Sequence, residues 1–368
     1  MKKDINSIDR NMSCYGNVDE ENVKWYLPYE APLRLSGFAF FQEDGVYRRL
    51  PLRTKDLFEK VNPNLNFLCE NTAGGQIAFR TNSTRILLKA EIKNKHNMVN
   101  MTAVGQSGFD CYIGRNGERL KFYGITRFDI EKTRYICEVV SQLPADEMRD
   151  VLLNFPLYEG VDYVAIGLDK DAEVLEPKPF EDPGKIVFYG TSITQGGCAS
   201  RPGMAYTNIL SRWLNRECIN MGFSANGLGE PEMAQVITEI KDVSLVVLDY
   251  EANAATTGRL ERTLEGFIDI IRNKYPDVPI LVLSRVPYLT ECYDGEIRKK
   301  RDGYRRFQEN VVNKRQQDGD RNIYFYNGHN LWDEDFDEYT VDFIHPTDLG
   351  FWKMAEGLYD VIRKILVK

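Results

Sequence analysis

The chain has 368 residues, long for a single core and enough for two domains of ordinary size. Its 47 Lys and Arg against 55 Asp and Glu give a formal charge of -8, and no basic stretch is interleaved with aromatics, which excludes nucleic acid as the expected partner. No apolar run is long enough to span a bilayer, and the start, MKKDINSIDRNMSCYGN, lacks the apolar core of a signal peptide, so no membrane partner and no export are expected.

In chain order, the first 25 or so residues read as an extension. A cluster of aromatics follows (Trp25, Tyr26, Tyr29, Phe38, Phe40, Phe41), either core or an apolar edge that a second copy of the chain could cover. QIAFRT (76–81) and RILLKAEI (85–92) alternate, with Ile77 and Phe79, then Ile86, Leu88, Ala90 and Ile92 on one face, as in strands packed on one side. Between FDCYIG and ERLKFYG, Arg115-Asn116-Gly117 predicts a tight hairpin, because Asn-Gly accepts positive φ. Several such strands without clear helices predict a β-sandwich over residues 1–180.

EPKPFEDPG (176–184) breaks both patterns with three prolines and a glycine and marks the domain boundary. From 184 to 368 the rhythm changes to apolar strands (IVFYG, VSLVVLDY, ILVLS, IYFYN) separated by helical patterns. This is the mark of a parallel sheet wrapped by helices. Leu260, Leu264, Phe267 and Ile271 recur at helical spacing before Pro276, as do Trp352, Ala355, Leu358 and Ile362 near the end.

In an open parallel sheet, ligands gather outside the carboxyl ends of the strands, which is where GTSITQGG places Ser192, directly after IVFYG. A serine there can cap a helix or attack a substrate. Attack needs a base within hydrogen-bond reach, itself oriented by a third group. Of three histidines, His96 lies in the β half, His329 follows IYFYN, and His345 sits in VDFIHPTDLG with Asp342 three positions before it. Pro346 disfavours helix at His345 and Thr347 can cap the next one, so one loop presents both side chains.

An ionised Asp342 would fix the imidazole tautomer and leave the other nitrogen to take a proton from Ser192. A developing oxyanion needs fixed donors, for which Ser192, Gly222 in NMGFSANG and Asn253 after VSLVVLDY are the candidates. Cys198 has no basic neighbour in sequence and reads as packing. Asp249 and Glu251 lie too close in sequence for the usual paired carboxylates of a glycosidase.

Seven cysteines (Cys14, Cys69, Cys111, Cys137, Cys198, Cys218, Cys292) are scattered and never spaced CxxC, which argues against a disulfide framework or a zinc site and for a reducing cytoplasm. No metal or other cofactor is expected.

Taken in order, Ser192, Gly222, Asn253 and His345 resemble the four signature residues of the SGNH, or GDSL-type, hydrolases. Thr191 replaces the Asp of GDS, and Glu251-Ala252-Asn253-Ala254 stands where GxND is usual. GFDCY (108–112) resembles the GxDLY motif of a β-sandwich domain that precedes some of these enzymes, with Cys111 in place of Leu. Asp110 and Tyr112 read as buttresses of the domain interface, with sugar contact as the other reading.

The resemblance implies a flavodoxin-like three-layer α/β/α catalytic domain behind a jelly-roll-like sandwich. It implies a serine esterase with the triad Ser192, Asp342 and His345, and more specifically an O-acetyl esterase on a carbohydrate, taking a small-molecule or oligosaccharide ester. A thioesterase or lysophospholipase-type acylhydrolase stays open, as does a carbohydrate-binding protein that has lost activity. A phosphate or flavin binder is disfavoured, since GTSITQGG has neither the P-loop ending nor GxGxxG, and the ordinary α/β-hydrolase fold is disfavoured because Thr194 departs from the GxSxG elbow.

Overall fold

The alternating segments of the first half pair as two antiparallel sheets in the computed structural model, which describes residues 8–9, 12–14, 18–115 and 117–367. Their strands are β1 (Val23–Tyr26), β2 (Arg34–Ser36), β3 (Gln76–Thr81), β4 (Ile86–Ile92), β5 (Asp110–Arg115), β6 (Lys121–Ile125), β7 (Arg134–Val140), β8 (Arg149–Asn154), β9 (Val161–Asp169) and β10 (Val174–Leu175). One sheet runs β1-β9-β4-β7 and the other β10-β3-β8-β5-β6, with β2 on β3. Ile86, Leu88 and Ile166 of the first sheet and Ile77, Phe79 and Leu153 of the second are fully buried, as alternation requires of a sandwich. Strands β5 and β6 form the expected hairpin; Gly117 turns it at φ +89, and Asn116 lies outside the described residues.

The second half forms one parallel sheet of β11 (Lys185–Gly190), β12 (Cys218–Gly222), β13 (Val243–Asp249), β14 (Ile280–Leu283) and β15 (Ile323–Tyr326), in the order β12-β11-β13-β14-β15. That is the flavodoxin-like order expected, and the strands are buried on both faces because helices cover both. The helix Leu260–Lys274 buries Leu260, Leu264, Phe267 and Ile271, and the helix Asp348–Leu366 buries Ala355, Leu358 and Ile362. Trp352 is only partly buried and meets Trp213 edge to face.

Two compact units follow, and each is discontinuous in sequence. The first holds the chain up to Phe38, Glu70–Pro179 and Ser200–Gly203; the second holds Ala39–Cys69, Phe180–Ala199 and Met204–Lys368. Short helices, Lys55–Val61 and Pro63–Leu68, occupy the segment 39–69, where alternation alone suggested none. They have too few turns to leave a periodic trace. Phe40, Leu50, Phe58, Leu65 and Leu68 of this segment join the core of the parallel-sheet unit.

Arg49, fully buried, holds it there. Its guanidinium donates to the carbonyls of Gly222 and Leu68 and lies 4.5 Å over the Phe223 ring. The aromatics read as either core or an apolar edge divide: Phe38, Phe40 and Phe41 are buried, Trp25 and Tyr26 are half-buried, and Tyr29 is exposed.

Candidate active site

Ser192 owes its position to the turn that leaves β11. Gly190 ends the strand with no room for a side chain, since a Cβ there would overlap Thr194 Oγ1. Thr191 is the N-cap of the helix Ser192–Gln195, with Oγ1 accepting from the Ile193 N–H at 3.3 Å, while the Thr191 N–H donates to Thr194 Oγ1 at 3.2 Å. The capping role considered for Ser192 thus falls to Thr191. Ser192 is the first helical residue, and capping does not engage its hydroxyl.

Behind the turn, Thr194 Oγ1 donates to Asp249 Oδ2 at 2.9 Å and Tyr206 Oη donates to the same oxygen at 2.8 Å. Asp249 ends β13 inside the fold, and burial pushes its carboxyl up to about 7, opposed by those two hydrogen bonds and aided by the charge of Glu251.

The loop before the last helix supplies the other two groups. It is closed by the pair Thr340 and Pro346 and by Val341 N–H donating to His345 O at 2.8 Å, with Phe343 left-handed at φ +57. Asp342 Oδ1 accepts the His345 N–H at 2.8 Å and the Ile344 N–H at 3.3 Å, so the carboxylate organises its own loop. Thr347 caps the helix Asp348–Leu366 by accepting the Gly350 N–H.

The imidazole of His345 then sits between partners: Nδ1 lies 2.9 Å from Asp342 Oδ2, and Nε2 lies 2.9 Å from Ser192 Oγ across 153 positions of sequence. An ionised carboxylate only accepts, so Nδ1 carries the proton and Nε2 presents a lone pair to the serine hydroxyl. Ser192 is 7% exposed, shielded yet reachable.

The expected oxyanion donors divide. Asn253 stands in the helix Glu251–Thr256, just past the end of β13, and its Oδ1 accepts the Gly227 N–H at 3.2 Å, which leaves Nδ2 to donate elsewhere. Gly222 is a correction. Its N–H donates to Asn220 Oδ1 at 2.9 Å and its carbonyl accepts from Arg49, so its polar groups are spent inside the fold.

The loop after Gly222 offers a replacement. The Ser224 N–H donates to Gln195 Oε1 at 3.0 Å and the Gly227 N–H to Asn253, which strings Ala225 between the serine helix and Asn253. Ala225 is exposed, left-handed at φ +56, and its N–H has no hydrogen-bond partner among the described residues. An alanine in a glycine-like conformation was the available signal, and it is invisible until φ is known.

Other candidates separate from this set. Glu251 is buried, accepting the Arg285 N–H at 3.0 Å and Gln308 Nε2 at 2.7 Å, and burial raises its pKa. Asp249 and Glu251 thus serve different networks. His329 lies on the turn Gly328–Leu331 with its pKa lowered by burial and then by Arg301, and His96 belongs to the sandwich unit. In that unit Asp110 of GFDCY is fully buried, accepting from Asn154 Nδ2 at 2.7 Å, Arg201 at 2.9 Å and the Gly203 N–H at 2.8 Å. Cys198 lies nearer the chemistry than its sequence suggested: its Sγ, an Asp342 oxygen and a His345 nitrogen all lie within 4.8 Å of one another.

Comparison with known proteins agrees with this architecture. Residues 184–363 match the GDSL-like lipase/acylhydrolase family, and residues 23–174 match the GxDLY domain found at the N-terminus of SGNH hydrolase-type esterases. A crystal structure of a Bacteroides ovatus protein described as a GDSL-like lipase superposes with a TM-score of 0.83 at 31% identity, covering 94% of this chain and 98% of that one. The chain belongs to the GDSL-like lipase/acylhydrolase family, in the branch with an N-terminal GxDLY domain.

Two more distant structures share the fold. The salicylyl-acyltransferase SsfX3 from a tetracycline biosynthetic pathway aligns at 19% identity and TM-score 0.75, over 94% of this chain and 98% of that one. A family two carbohydrate esterase from Clostridium thermocellum, in complex with cellohexaose, aligns at 18% identity and TM-score 0.57, over 80% and 93%. No curated protein sequence matches the chain. Among the described residues, no helix is long and apolar enough to cross a membrane.

Proposed function

We propose that the chain is a serine esterase in which Ser192, His345 and Asp342 act as nucleophile, base and orienting acid. The observation that carries this reading is the imidazole of His345 held 2.9 Å from both Ser192 Oγ and Asp342 Oδ2. Ser192 Oγ attacks the ester carbonyl carbon while Nε2 takes its proton, and the carbonyl electrons move onto oxygen. Asn253 Nδ2 and the backbone N–H groups of Ser192 and Ala225 stabilise that oxyanion. Its collapse expels the alcohol, protonated by His345, and water then releases the acid by the same steps.

The substrate class proposed is an O-acetylated carbohydrate. Support comes from the shared fold with an esterase solved with cellohexaose, and from an N-terminal domain of a kind that accompanies esterases. None of the seven cysteines is in a disulfide, which supports the reading of a reducing compartment.

Hydrolysis of 4-nitrophenyl acetate by the wild type beside Ser192→Ala and His345→Ala tests the mechanism. Loss of turnover in both variants is expected, and undiminished turnover in both would sink it. A nitrophenyl ester series tests the acyl group, where acetate should exceed octanoate in kcat/KM; the reverse order favours a longer-chain acylhydrolase.

A further inference from the structure

Cys198 has no part in the esterase chemistry, yet the fold brings its thiol to the two groups that activate the serine. It follows the turn that ends the helix Ser192–Gln195, is itself left-handed at φ +74, and is buried. Its Sγ lies within 4.8 Å of ligand atoms on both Asp342 and His345. Thiolate, carboxylate and imidazole are a ligand set suited to zinc. Ideal tetrahedral coordination at ordinary bond lengths would place such atoms about 3.3–3.6 Å apart. His345 Nδ1 and Asp342 Oδ2 lie 2.9 Å apart, so that pair must open slightly, and the thiol, within 4.8 Å of both residues, must move inward by at most about 1.5 Å to reach those spacings.

We propose that Cys198, Asp342 and His345 form a reversible inhibitory site for a thiophilic divalent cation, zinc above all. This rests on the esterase reading for its consequence, though not for the binding itself. The charge of Asp342 favours a dication there, which one thiolate and one carboxylate neutralise.

The proton balance is explicit: the incoming ion displaces the thiol proton to water and forms a metal–sulfur bond. If it takes His345 Nδ1, the imidazole proton moves to Nε2, and the nitrogen facing Ser192 becomes a donor. If it takes Nε2, the lone pair is consumed. In either case His345 no longer accepts the serine proton. Side-chain exposures of 25% for His345 and 32% for Asp342 give the ion a way in and water the fourth position.

Zinc affinity should be measured on the full chain by competition with a chromophoric chelator, for the wild type, Cys198→Ser, His345→Ala and Ser192→Ala. Wild type and Ser192→Ala should bind alike, with affinity at least 10-fold weaker in the other two. Cobalt added to the wild type should give a near-ultraviolet thiolate charge-transfer band, a readout independent of any variant's folding. Zinc should inhibit ester hydrolysis in the wild type, with the inhibition constant raised at least 10-fold in Cys198→Ser relative to its own zinc-free rate.

Equal zinc affinity in wild type and Cys198→Ser, or a cobalt complex without the thiolate band, would overturn the proposal. Failure of ester hydrolysis in the wild type would strike the esterase reading and leave the metal measurements standing.

Discussion

Thr194 is bonded at once to the turn that presents the nucleophile and to the buried carboxylate behind it: its Oγ1 accepts the Thr191 N–H at 3.2 Å and donates to Asp249 Oδ2 at 2.9 Å. Valine has the same shape and neither bond. Thr194→Val should therefore destabilise the fold by about 2–3 kcal/mol through two unsatisfied buried groups. It should also lower kcat more than it changes KM, because the turn carrying Ser192 loosens. Urea unfolding and steady-state kinetics read the two effects.

Asp249 also predicts a pH dependence of stability. Its carboxyl is raised from 3.8 to about 7 in the fold, so between those values the native chain holds a proton that the unfolded chain has lost. Stability from this group is full below about pH 4, declines as pH rises to about 7, and then levels off. Asp249→Asn should flatten that slope, as measured by unfolding free energy from pH 4 to 8. An unchanged slope would show that Asp249 is ionised throughout.

Asp342 has two functions that substitution can separate. Its Oδ1 accepts two backbone N–H groups of its own loop, and its Oδ2 orients His345. Asn keeps an acceptor for the loop and loses the charge that fixes the tautomer. Asp342→Asn should lower kcat by about 10⁴-fold with the melting temperature nearly unchanged. Asp342→Ala should add a loss of about 1–2 kcal/mol in stability.

Asn253 and Ala225 test the oxyanion donors. Asn253→Asp preserves the acceptor for the Gly227 N–H and replaces the Nδ2 donor with negative charge. It should lower kcat by about 10²–10³-fold with little change in KM. Ala225→Gly keeps the backbone N–H and relieves a left-handed alanine, a gain of about 1 kcal/mol partly offset by about 0.5 kcal/mol of chain entropy. A slightly higher melting temperature with activity retained is expected.

In the sandwich unit, Asp110→Ala leaves the guanidinium of Arg201 beside Tyr112 and Phe122 without its carboxylate. The loss should be about 3–5 kcal/mol, seen in thermal unfolding. Asp110→Asn, which still accepts hydrogen bonds, should lose less.

The strands were legible because their apolar residues stand in short runs or alternate along the chain: QIAFRT is β3 residue for residue, and IVFYG falls within β11. The approach of Ser192, His345 and Asp342 was legible because parallel topology sends strand ends to one side, and because Pro346 and Thr347 mark the loop. What stayed hidden depends on direction in space. Composition does not reveal that the Gly222 amide turns to Asn220, or that Ala225 adopts the left-handed conformation. Cys198 has no histidine or carboxylate near it in sequence, yet its neighbours in space, Asp342 and His345, come from a loop more than a hundred positions away. The segment 39–69 was hidden differently: it precedes most of the sandwich in sequence while its apolar side chains complete the other core.

That interleaving bears on how the protein can be dissected. A fragment beginning at residue 184 would retain every side chain proposed for catalysis, but it would lack Arg49, Phe40, Leu50, Phe58 and Leu65. The carbonyl of Gly222 would lose its guanidinium and an apolar wall would face water. Transplanting the catalytic unit therefore calls for a circularly permuted or spliced gene that carries residues 39–69 along with it.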